Sequence, residues 1–251
     1  MLDLTPKAVE QASWWRRWIW RHPEWWSLSL SLIAWLSFLR PRDHFAGLHA
    51  LHVHHHGPTL TTLFLFGGEL ISWTVMVVAM MLPLTVNGTR VTAVRSLWAR
   101  RHRAILFFIL GYLSAWLLAG MIVCGVIVIF HTNMWFRPTL AVSAAFSSAA
   151  LWEFTTAKRR ALRSCHRTIP LAPRGWRATA DCLRYGWVIG GNCLVNCGAL
   201  MLACTMARHS MAAMVGTGSI MVVERYGTRP KPAVISAAIA SLGLICIFLI
   251  S

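Results

Sequence analysis

Long apolar runs separated by short basic connections dominate the chain. Seven stretches reach or approach the roughly 20 apolar residues that a helix needs to cross a bilayer. They are 25–39, 60–86, 104–130, 136–157, 185–207, 210–223 and 233–250. The first and the sixth are short, and a helix of that length either relies on flanking side chains to snorkel or enters and leaves on one side. The pattern predicts an all-α, polytopic integral membrane helical bundle of about seven transmembrane helices.

Charge then orients the bundle, because Lys and Arg in short loops stay on the cytoplasmic side. With the N-terminus cytoplasmic, twenty of the twenty-four Lys and Arg fall inside, and only Arg40, Arg42, Arg137 and Arg208 fall outside. Deleting the sixth span would carry Arg225, Arg229 and Lys231 outside and blur this alternation. Seven spans therefore describe the charges better than six.

Composition narrows the class. The 251 residues are 57% hydrophobic and 13% charged, with a formal charge of +16. A soluble domain carries about a quarter charged residues, so a soluble nucleic-acid binder is excluded as an explanation of the charge. Trp14, Trp15, Trp18, Trp20, Trp25 and Trp26 interleave with Arg16, Arg17 and Arg21. Aromatic and basic residues together suit a helix lying in the headgroup layer. The expected organisation is a Trp/Arg-rich interfacial segment over 1–24 and one membrane domain over 25–251, with a His-rich outer loop (40–59) and a basic cytoplasmic loop (158–184) facing anionic lipid. No small-residue cleavage pattern follows the first apolar run, so it is expected to be retained. The expected location is a bacterial inner membrane.

The chemistry-bearing residues are sulfur and imidazole. Seven Cys lie in spans or on the cytoplasmic side, which argues against a disulfide framework. Cys193, Cys197 and Cys204 stand at i, i+4 and i+11, within about 40° of one another around a helix. Such a column is either small apolar packing or a set of soft metal ligands. A second face, Glu69, Trp73, Met76 and Met80, recurs at helical spacing in the second span. An ionisable residue in a span is a functional candidate by default, whereas methionines at such spacing are often core filler. Glu153 and Glu224 are weaker candidates, since each can pair with a nearby Lys or Arg. Outside, His44, His49, His52, His54, His55 and His56 crowd one loop. Imidazole clusters capture Cu, Zn or Ni; a solvated or pH-sensitive polar loop is the alternative. No metalloprotease, nucleophile-elbow, P-loop or dinucleotide motif occurs, and nothing in the sequence supports catalysis.

Trp73, Met76, Ala79, Met80, Met81, Leu82 and Pro83 resemble the W-x-x-M-x-x-A-M-M-x-P signature of a bacterial, uncharacterised family described as predicted metal-binding integral membrane proteins. Lys158, Leu162 and Cys165 resemble its K-x-x-C-L-x-x-C segment. Gly191, Cys193, Cys197, Leu200 and Met201 resemble its C-x-x-C-C-W-x-L-M segment. Glu224 resembles a Glu-Lys helix end found there. Ala161, Asn196 and Gly198 depart from the pattern, the first two replacing Cys and the third Trp. The similarity runs over about 60–225, and it implies metal binding without naming a reaction.

These readings converge on a membrane protein that handles a transition metal. Copper is the first expectation, because thiolate and thioether suit Cu(I); zinc and nickel are alternatives. His52, His54, His55 and His56 would gather the ion outside. Glu69, Met76 and Met80 would face Cys193, Cys197 and Cys204, and Cys165 with His166 would receive or release it inside. The competing expectation is a non-catalytic accessory or assembly subunit of a larger membrane complex. In either case the expected partners are lipids and a membrane complex or metal-requiring enzyme, not nucleic acid.

Overall fold

The computed structural model describes residues 22–39, 58–97, 100–132, 138–164, 170, 172, 175–227 and 231–250. Among these, the α-helices in chain order are α1 (Trp25–Leu39), α2 (Pro58–Met81), α3 (Val86–Arg95), α4 (Arg101–Thr132), α5 (Pro138–Trp152), α6 (Thr156–Ser164), α7 (Gly175–Met206), α8 (Met211–Tyr226) and α9 (Pro232–Ile250). The fold is an all-α membrane bundle. Four segments are long and apolar enough to cross a bilayer: Thr62–Met81, Arg101–Ile129, Gly175–Met206 and Pro232–Leu249. α1 and α5 are apolar but have only 15 residues each, about 22 Å at 1.5 Å per residue against a hydrocarbon layer of about 30 Å.

Each of the seven predicted stretches is helical at its centre, but several ends differ. α2 stops at Met81 instead of continuing to Val86. Pro83 lacks an N–H and so cannot continue the i→i−4 ladder, although Leu82 before it keeps helical angles, φ −62° and ψ −38°. A 3₁₀ turn, Pro83–Thr85, follows, in which Thr85 Oγ1 donates to the Leu82 carbonyl at 2.7 Å. α5 ends at Trp152, and the chain turns through Glu153–Thr155 before α6 begins. α7 starts ten residues earlier than expected, at Gly175, so much of the 158–184 connection is helical.

α7 ends at a left-handed turn built without glycine, with φ of 53° at Arg208 and 54° at His209. That turn lets the His209 N–H reach the Cys204 carbonyl at 3.0 Å, closing the helix end in the manner of a Schellman cap. Ser210 then caps α8 by accepting from the Ala213 N–H at 3.3 Å.

α4 and α7 form the central pair. α2 packs on α4, α1 on α2, α3 on α4, and α6 on α7, while α5, α8 and α9 complete the other flank. The α4–α7 contact is unusually close because glycines line it. A Cβ on Gly186 would overlap the Phe108 carbonyl, and one on Gly111 would overlap the Leu183 carbonyl. Small residues permit this backbone approach between membrane helices, where dispersion rather than water exclusion drives association. Trp73 fills the gap between α2 and α4, lying over Gly120 and donating from Nε1 to the Trp116 carbonyl at 3.1 Å. Leu63, Ile122 and Phe248 are among many large apolar side chains on the outer faces, as lipid contact requires.

Candidate metal site

The sulfur-rich centre lies where α7 meets α4 and the end of α2. Cys193 and Cys197 are one turn apart on α7, and each is 1% exposed. Tyr112 of α4 donates its hydroxyl to Cys193 Sγ at 3.1 Å, and Met81 Sδ, from the last residue of α2, stands 4.0 Å from the same sulfur. Asn196 Nδ2 donates to Cys197 Sγ at 3.3 Å, while its Oδ1 is buried with no hydrogen-bond partner.

The local folding explains this grouping. Spacing of four residues stacks the two thiols on one helix face. The glycine-lined contact brings α4 close enough for Tyr112 to touch that face, since Gly190 lies directly against the Tyr112 backbone. The stop enforced by Pro83 leaves Met81 at the end of α2, facing inward and fully buried.

A second polar cluster joins α6, α8 and the turn between α5 and α6. Lys158 of α6 is 3% exposed and holds two carboxylates, Glu153 and Glu224, each 5% exposed. Its Nζ bonds Oε1 of Glu153 and, at 2.8 Å, Oε1 of Glu224. The sequence suggested that each acid could pair with an adjacent Lys or Arg; Glu153 does so with Lys158, five residues on, whereas Glu224 pairs with that same buried lysine, distant in sequence.

The remaining candidates separate. Cys204 is buried but lies seven residues further along α7, about 10 Å from Cys197 along the axis, with its Sγ 2.9 Å from Thr217 Oγ1. Met76 and Met80 are core residues of α2, and the Met80 methyl faces Gly218 of α8. The thioether against Cys193 is that of Met81, one position beyond the face singled out by helical spacing. Glu69 is half-buried and close to Cys124 of α4. Cys165, His166, His52, His54, His55 and His56 lie outside the described residues, as does most of the 1–24 segment.

Among the described residues, no three His, Cys, Asp or Glu side chains converge as a metal-holding group. The donor set that does converge is two thiols and one thioether. Soft sulfur donors in low number suit a monovalent, polarizable ion better than a hard divalent one. Tyr112 and Asn196 were not singled out as donors to these thiols, because a hydroxyl or amide in a span carries no ligand-like spacing of its own.

A family model described as copper chaperone (PpoB2) matches residues 70–249. The chain belongs to this family, which covers the sulfur centre and the Lys158 cluster. This corrects the uncharacterised family suggested by the short motifs, while the broader reading of a metal-binding membrane family agrees with it. No curated protein and no solved structure matches the chain.

Proposed function

We infer that, as a member of a family described as copper chaperone, this chain holds Cu(I) within the membrane and passes it to a metal-requiring partner. The ion is cargo, not a resident cofactor. Cys193 and Cys197 supply two thiolates and Met81 a weaker thioether, a combination from which Cu(I) can leave by stepwise ligand exchange. The observation that carries this reading is the pair of buried thiols with the Met81 sulfur against one of them. Tyr112 and Asn196 orient the sulfurs by hydrogen bonds to Cys193 and Cys197. The His-rich 40–59 loop gathers the ion on the outer side, and Cys165 with His166 receives it at the inner end.

The proposed topology has seven crossings with the N-terminus cytoplasmic in a bacterial inner membrane. Support comes from the twenty-to-four division of cations. It also comes from contacts that gather the proposed inner ends: Glu24 with Arg90 at 2.7 Å, Trp26 with His102 at 3.1 Å, and Tyr226 with the Pro83 carbonyl at 3.4 Å.

Elemental analysis of protein purified in mild detergent and loaded with Cu(I) tests the assignment. We expect about one tightly held copper per chain at this centre, lost in the Cys193→Ser/Cys197→Ser variant. Unchanged copper stoichiometry in that variant would overturn the site. An accessory role without metal predicts instead a stable protein partner and a copper-free chain.

A further inference from the structure

In an α-helix the N–H of residue i bonds the carbonyl of residue i−4, so the natural donor for the Ala79 carbonyl is residue 83. That residue is a proline, which has no N–H and whose ring crowds this carbonyl. Ala79 is 0% exposed, and a buried carbonyl left unmet is costly. Two side chains of α1 supply what the proline removes. Ser31 Oγ donates to the Ala79 carbonyl at 2.6 Å, and Trp35 Nε1 donates to it at 3.1 Å.

The sequence of α1 suits this contact. Its buried residues are Ser27, Ser31 and Ala34, spaced i, i+4 and i+7 on one face, and their small side chains let α1 approach α2 closely. Leu32, Ile33, Leu36 and Leu39 are exposed, so α1 lies at the edge of the bundle. Apolar packing alone would attach such a helix; two donors on one carbonyl single out the break in α2. The consequence lies two residues on. Met81 Sδ stands 4.0 Å from Cys193 Sγ, and the Met81 carbonyl lies 3.5 Å from the Tyr112 hydroxyl. The last turn of α2 is thus held by α1 at Ala79 and faces α4 at Met81. Without the two donors, the Ala79 carbonyl could be met only by a shift of that turn, and the turn carries Met81.

We propose that Ser31 and Trp35 are positioning residues for the sulfur centre: by occupying the carbonyl that Pro83 frees, they fix the end of α2 so that the Met81 thioether stays in reach of a Cu(I) ion held by Cys193 and Cys197. The assignment rests on the copper reading above. It gives α1 a part in the site although α1 supplies none of the three sulfurs.

The test measures Cu(I) affinity of the full-length protein in detergent, under argon, by competition with a chromophoric Cu(I) chelator, together with X-ray absorption at the copper edge. Ser31→Ala/Trp35→Phe removes both donors and keeps most of the packing. It should bind Cu(I) about tenfold more weakly than wild type, the scale of losing a group that orients a metal ligand. It should also show two sulfur neighbours where wild type shows three. Met81→Leu should reproduce both changes, and adding the α1 substitutions to Met81→Leu should weaken binding no further. A purely structural effect of α1 would persist without Met81. Ser31→Ala and Trp35→Phe alone, each leaving one donor, should give smaller losses of the same kind, and they replace the double variant if it fails to fold. Wild-type affinity and three-sulfur coordination in the variants that fold, or an undiminished loss in the Met81→Leu background, would overturn the proposal.

The unfolding temperature of the metal-free protein gives a readout independent of copper. Ser31→Ala/Trp35→Phe should lower it by several degrees, and by less in a Pro83→Ala background, where the restored N–H can serve Ala79 again. Equal losses in the two backgrounds would remove the premise. A wild-type chain that binds no Cu(I) would instead sink the copper reading, and the proposal with it, even if the dependence on residue 83 held.

Discussion

Gly190→Ala and Gly191→Ala form a matched pair that tests whether close α4–α7 packing builds the sulfur centre. A Cβ at position 190 would lie 2.8 Å from the Tyr112 carbonyl oxygen and 3.0 Å from the Ala115 Cβ, whereas one at 191 would meet nothing within 4 Å. Ordinary contact needs about 3.4 Å, so α4 must retreat by roughly 0.6 Å at Tyr112. Both substitutions gain about 1 kcal/mol of helix propensity. Gly190→Ala also incurs overpacking of about 1–3 kcal/mol. Gly191→Ala should therefore raise the unfolding temperature in detergent, and Gly190→Ala should leave it level or lower it. The displaced hydroxyl no longer holds Cys193 at 3.1 Å, so Gly190→Ala should also retain less Cu(I) than Gly191→Ala. Equal stability and equal copper retention in the two variants would refute the role assigned to this contact.

Three further outcomes follow from the packing. Lys158→Met leaves Glu153 and Glu224 buried without a cation and should cost about 3–5 kcal/mol. Most of that loss should be recovered in a Glu153→Gln/Glu224→Gln background, and an undiminished loss there would assign the lysine a packing role. Gly120→Ala should be destabilised by collision with the Trp73 indole by about 1–3 kcal/mol, and a cycle with Trp73→Phe should show strong coupling. Arg90, through its hydrogen bond, holds the Glu24 carboxyl at about 2, below its ordinary 4.5. Because the folded value is the lower one, this pair stabilises the protein fully above pH 4.5 and loses its effect as the pH falls through about 2. Arg90 is largely exposed, so the effect is small and salt-screened. The unfolding temperatures of wild type and Glu24→Gln should converge on acidification from pH 5 to 2.

The apolar runs were enough to read the apolar helices, because the need for about 20 lipid-compatible residues is a local property of the chain; the polar helices α3 and α6 fell in connections between those runs and were missed. Their ends were less legible. At Pro83 the missing N–H outweighs the apolar residues that continue to Val86, and the start of α7 is hidden by polar and charged residues that a hydropathy window excludes. The Cys193–Cys197 pair was visible for the same local reason, one turn of one helix. Cys204 shares their stripe but not their surroundings, since seven residues of rise separate it from them.

The partners of those thiols belong to the tertiary structure. Tyr112 and Met81 lie 81 and 112 positions from Cys193 in sequence, and nothing in their own spacing marks them. They reach it because Gly111, Gly186 and Gly190 let two backbones touch and because Pro83 ends α2 where it does. Lys158 illustrates the division most clearly. Composition counted it as one more cation in a basic loop, whereas the fold turns it inward between two acids. Sequence alone determined a membrane-spanning helical chain with soft donors on one helix face. Only packing decided which side chains share a buried space, because burial and charge pairing depend on neighbours that the chain brings together after folding.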